Sequence, residues 1–174
     1  MSTNRCLCGW FGFFGLLDHL ILNPNINMHM KPEIRNILGG ITGAVVLNLV
    51  HEVAKRVSHK APRIDLLGEE ALAKTAEAVG VDAPSGEVLT ASTFVADLAS
   101  NAGYYAMIGK GDNDTILLRG AGYGLMAGLG AIGLAKPLGL NESAVARSGE
   151  TKLLTITWYL LGGLAAAMAI KSLR

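Results

Sequence analysis

Charge is scarce in this sequence: 17% of its 174 residues are Asp, Glu, Lys or Arg, where an ordinary soluble domain has about a quarter. A chain so poor in charge, and 51% apolar, points toward lipid as its solvent. The charge that exists is balanced, 15 basic residues against 14 acidic for a net +1, so no global field draws in nucleic acid and that class of partner is excluded. Cysteine is nearly absent. Cys6 and Cys8 stand one residue apart, too close for an ordinary structural disulfide, and no Cys/His cluster with zinc spacing follows. Metal ligation and bound cofactors are therefore not expected. Glycine, by contrast, is plentiful, 22 residues of 174, close to twice the usual share of ~7%. It lies inside apolar runs rather than polar linkers, which argues against disorder and against a collagen repeat.

The apolar runs predict an all-α, multi-span membrane bundle. Residues 153–170 are uncharged between Lys152 and Lys171, about 27 Å of helix and close to the thickness of a hydrocarbon core. Residues 36–54 begin with an uncharged stretch that runs to Val50, and 115–135 contains one charge, Arg119, near its start. Residues 88–109 are long enough to span but hold Asp97 and Asn101, so this segment suits a membrane only if its neighbours shield it. The expectation is four main transmembrane helices in a single domain over residues 31–174. Residues 1–30 differ in kind, with both cysteines, one of two Trp and three of four Phe. Within them 6–22 offers a short fifth N-terminal span, interrupted by Asp18 and His19; the reading preferred is an upstream extension, with MKPEIRNILGG as the better-behaved start.

Basic residues orient the spans. The connections at 55–87 and 136–152 together hold eight Lys and Arg, against Lys31, Arg35, Lys110, Lys171 and Arg174 on the other side. The positive-inside rule then places both connections in the cytoplasm of a multi-pass protein of the cell membrane. The first connection predicts a cytoplasmic surface helix over residues 66–79, capped by Asp65, with Glu69 and Glu70 in its first turn and Gly80 just past its end. Ser85 is placed to cap the span after it.

Polar groups stand where lipid would not tolerate them. At 100° per residue, Thr90, Thr93, Asp97, Ser100, Asn101 and Tyr104 share an arc of about 100°. A carboxylate at mid-bilayer costs at least ~2.5 kcal/mol on insertion scales, so this face should turn inward or toward a wet cavity. At the end of the first span Asn48, His51 and Glu52 gather at helical spacing with Lys55, and an imidazole there suits proton handling. Glu52 also stands i, i+4 to Arg56, an ordinary helix-end ion pair. Arg119 reads as an interfacial anchor that snorkels toward headgroups, too far from Asp97 for direct pairing.

Glycine spacing speaks of close packing. Gly120, Gly124 and Gly128 recur every four residues, and Gly39 with Gly43, and Gly162 and Gly163 with the alanines four beyond each, repeat the pattern, which lets backbones approach. A phosphate-cradling loop is excluded at GAGYG, since no strand precedes it and no Lys follows. The serines lack a glycine-flanked elbow, so no catalytic residue is assigned. Three functions follow as expectations: passage of an ion, proton or small polar solute along the Asp97 stripe; a non-catalytic scaffold or accessory subunit, assembled as a homo-oligomer or larger complex through its glycine faces; and an interfacial membrane enzyme using His51 and Glu52.

Overall fold

The computed structural model describes residues 30–174; the proposed span or extension at 6–22 lies outside the described residues. Every regular element described is helical. Helix α1 covers Pro32–Val57, α2 Ile64–Ala78, α3 Gly86–Ala106, α4 Ile116–Ala135, α5 Ser143–Ala146 and α6 Gly149–Ser172, with a 3-10 turn at Met107–Gly109 continuing α3. Pro32 and Glu33 open α1, where a missing N–H costs nothing and an acid meets the positive end of the helix dipole. Ser148 caps α6 by accepting from the Thr151 N–H at 3.1 Å.

Helix α2 differs from expectation at its start. It begins at Ile64, and no side chain caps it. Asp65 lies inside the first turn instead, where its carboxylate is taken by Arg63 and Lys55. Ser85 occupies the cap position of α3 in extended conformation but makes no capping bond. Gly80, at φ +76°, follows the end of α2, a backbone that glycine adopts without strain.

Helices α1, α4 and α6 are long and apolar enough to cross a membrane, which fits a membrane protein. The outward faces agree. Ile37, Ile41 and Leu49 of α1, Leu118, Met126 and Leu129 of α4, and Leu153 and Met168 of α6 are all exposed, an arrangement costly in water and favourable in acyl chains. Helix α3 does not reach that level of hydropathy.

The lateral order of the helices departs from the chain order. Helix α6 lies between α1 and α4, and α3 packs on the far side of α1. Small residues explain it. A Cβ on Gly43 would fall 2.6 Å from the Gly162 carbonyl oxygen, and one on Gly39 would strike Ile170. On the other flank of α6, a Cβ on Gly120 would meet the Ala167 Cβ at 2.6 Å, one on Gly124 the Leu160 Cα at 2.7 Å, and one on Gly128 the Ile156 Cα at 2.8 Å. The pairs 162/166 and 163/167 sit about 100° apart on α6, so one helix offers two smooth faces. Gly40, not singled out by spacing, meets α3: a Cβ there would collide with the Ala102 carbonyl oxygen.

The first and third connections meet at one end of the molecule. Arg63 N–H donates to the Ala144 carbonyl at 2.7 Å, Glu70 accepts from the Asn141 N–H at 2.7 Å, and Arg147 donates to the carbonyls of His59 and Ala61. Thr151, fully buried, donates to the Lys60 carbonyl at 3.2 Å. At the opposite end Arg174 donates to the Gly109 carbonyl at 3.1 Å. Helices α1, α3, α4 and α6 thus each run from one end to the other.

Candidate functional site: a one-ended acidic cleft

Helices α1, α2 and α3 enclose a cleft of about 920 Å³. It begins under α2, among Glu52, Lys55, Asp65 and Glu69, and ends at Asn48 and Asp97. Five carboxylates line it, those of Glu52, Asp65, Glu69, Glu87 and Asp97, against the single ammonium of Lys55. Its remaining wall is apolar, with Val45, Leu49, Phe94 and Leu98.

Asp97 sits at the blind end. Its two carboxylate oxygens accept from different helices, Oδ2 from Asn48 Nδ2 at 3.0 Å and Oδ1 from Asn101 Nδ2 at 2.9 Å. No cation pairs with it among the described residues. Amide donors satisfy part of an ionised carboxylate but do not neutralise it. Past Asn101 the cleft is shut by contact between α1 and α3 at Gly40. Tyr105, fully buried, donates its hydroxyl to the Tyr159 carbonyl at 2.9 Å, and Tyr104 donates to the Tyr123 carbonyl at 3.1 Å. Those phenols are occupied in fastening α3 to α6 and α4.

The mouth is built around Asp65. Its carboxylate accepts from Lys55 at 3.2 Å and from Arg63 at 3.0 Å. Burial alone would raise its pKa, but those two cations bring it down to about 2. His51 is 7% exposed, its Nε2 lies 3.6 Å from Asp65 Oδ1, and that nitrogen has no hydrogen-bond partner. Its ring leans on Trp158 with centroids 5.6 Å apart. Thr93 Oγ1, also facing the cleft, is a second buried polar atom without a partner. Two buried polar atoms without a partner, one from α1 and one from α3, thus line the same cleft.

The polar stripe on α3 divides. Thr93, Asp97, Asn101 and Tyr104 are turned inward to differing degrees, whereas Thr90 and Ser100 are exposed. Thr90 donates to Glu69 of α2 at 2.8 Å, and Ser100 folds back onto the Asp97 carbonyl at 3.1 Å. Asn48, His51 and Glu52 are brought together with Asp97 around the cleft. Glu52 spends its carboxylate on Lys55 and Arg56, at 2.9 and 3.0 Å. Arg119 is far from this group and holds the Ile108 carbonyl at 3.0 Å and Thr115 Oγ1 at 2.8 Å. Glu69 and Glu87 were not marked as site residues by spacing, because Glu69 of α2 and Glu87 in the first turn of α3 come to one cleft only once α2 folds over α3. The Trp158 contact of His51 has no signal in the sequence either, since 107 positions separate them. Among the described residues no three His, Cys, Asp or Glu side chains converge to hold a metal ion.

Comparison with protein-family models, with curated proteins and with solved structures finds no match for this chain.

Proposed function

We propose that the protein is an integral membrane protein of four main spans, α1, α3, α4 and α6, with α2 and α5 on the cytoplasmic side, and that it takes up a proton or small cationic solute into the cleft that ends at Asp97. The observation that supports this most is the acidity of the lining: of its five carboxylates Glu52 and Asp65 are paired with Lys55, Arg56 and Arg63, while Glu69, Glu87 and Asp97 meet no cation among the described residues, in a largely apolar wall. Such a wall concentrates cations and repels anions. Helix α3 falls short as a span on hydropathy alone, but its inward polar groups are screened by α1 and α2, which is the condition under which an intramembrane Asp is tolerated.

In this reading His51, Glu52 and Asp65 form the mouth, and Asp97 with Asn48 and Asn101 forms the terminal site. The cleft is one-ended, so onward passage requires α1 and α3 to part at Gly40. A scaffold assembled through Gly120, Gly124 and Gly128 is not what these contacts favour, because those glycines already face α6 of the same chain. Homo-oligomerisation would then use other surfaces.

The test is cation flux in proteoliposomes holding the full chain, with an entrapped pH dye and an imposed potassium diffusion potential. The parent should pass protons, and Asp97→Asn should reduce that flux about tenfold or more while the melting temperature in detergent stays within a few degrees. A parent that passes neither protons nor small organic amines, or a variant as active as the parent, would overturn the reading.

A further inference from the structure

At the end of the molecule away from the cleft, Arg119 and Arg174 hold the turn between α3 and α4, and Arg35 of α1 stands next to Asn36, which packs against that turn. Arg119 of α4 holds the Ile108 carbonyl at 3.0 Å. Arg174, just beyond α6, holds the carbonyls of Gly109 and Gly111 at 3.1 and 3.3 Å. The turn is drawn close: a Cβ on Gly111 would fall 2.8 Å from Arg119 Nη1, and one on Gly109 would collide with the Asn36 amide. Arg35 of α1 stands beside Asn36 in the chain, and its charge, with that of Arg119, acts on Arg174. Burial first, and then these two neighbours, lowers the Arg174 pKa, with Asp112 as the acid that opposes them.

None of the three forms a salt bridge among the described residues. Two of their N–H groups, Arg35 Nε and Arg119 Nη2, are buried and have no acceptor, and Asn36 Oδ1 is likewise unpaired. Three guanidinium groups with no ion pair among them and only Asp112 nearby to oppose their charge repel one another, and a buried unpaired charged donor is costly. An oxyanion with several acceptor oxygens removes both penalties together. Phosphate is the group that fits best, since guanidinium forks match its oxygens and several can share one phosphate. In a membrane of this topology the arginines would stand at headgroup level, one short turn beyond the apolar stretches of α1, α4 and α6.

We propose that Arg35, Arg119 and Arg174 form a phosphate-binding site, filled by an anionic phospholipid headgroup or by free phosphate. Arg119 and Arg174 also fasten the turn, so their loss would confuse binding with folding. Arg35 donates no hydrogen bond among the described residues and gives the clean variant.

The full chain in detergent is titrated with inorganic phosphate, and separately exchanged into nanodiscs of phosphatidylcholine with or without phosphatidylglycerol. Bound lipid or phosphate is read by native mass spectrometry and the melting temperature by fluorescence. Stabilisation by phosphate in detergent supports the free ion as occupant; retention of phosphatidylglycerol without a phosphate effect supports the headgroup. In either case Arg35→Gln should weaken binding about tenfold with the melting temperature of the unliganded chain no lower than the parent's, and Arg35→Lys should recover part of the loss. Absence of binding in both arms, or Arg35→Gln binding as tightly as the parent, would overturn the proposal, as would an equal effect of Lys152→Gln at the other end.

Discussion

At the scale of single residues, the molecule concentrates its exceptions in two places, and Asp65 shows how they are held. This carboxylate is 26% exposed, yet it bonds two cations and lies beside His51. Its pKa of about 2 stands below the ordinary 3.8, so its contribution to stability is complete above pH 4 and is lost as the pH falls toward 2. That contribution is at most about 2 kcal/mol, reduced by the water reaching its exposed side. Asp65→Asn should therefore melt below the parent at neutral pH, and the gap between the two should close as the pH is lowered from about 4 to about 2 in a thermal-melt series. A gap that persists unchanged at pH 2 would mean the carboxylate charge is not what anchors α2 to α1. Glu70, on the exposed side of the same helix, has its pKa lowered by the Asn141 N–H and by Lys74, and serves to fasten α2 to the third connection.

At the scale of elements, glycine has two different roles on one helix. On α4, Gly124 presses its Cα side onto the backbone of α6, whereas a Cβ on Gly122 would have nothing within 4 Å. Gly124→Ala should destabilise by about 1 to 3 kcal/mol, because the atoms it meets are main chain and cannot move aside. Gly122→Ala should stabilise by up to about 1 kcal/mol through helix propensity alone. Melting temperatures of the two variants in one detergent decide this, and shifts of the same sign would mean that the α4 to α6 contact is looser than described. The glycine spacing on α4 was visible in the sequence; that its partner is α6 was not.

At the scale of the whole molecule, both long connections lie at one end and the Met107–Gly111 turn at the other, so the four-span topology proposed above puts them on opposite sides of a membrane, which labelling can read. With Cys6 and Cys8 replaced by Ser, an impermeant maleimide added to intact cells should label Asn113→Cys and spare Glu77→Cys and Leu138→Cys. Labelling of positions 77 and 113 from the same side would remove α3 from the spans. The all-helical character, three apolar helices and a helix in the first connection were legible in the sequence, because periodicity and hydropathy are local properties of a helix and its solvent; the stripe on α3 was not read whole, since Thr90 and Ser100 are exposed. The start of α2 was misplaced, because Asp65 was free to cap only until Lys55 and Arg63 claimed it. What the tertiary structure alone decided was the order of neighbours: α6 between α1 and α4, α3 outside α1, Glu69 and Glu87 brought to the cleft, Trp158 under His51, and the arginines at the far end. These depend on which smooth faces meet, and glycine spacing says that a backbone can come close without saying which one does.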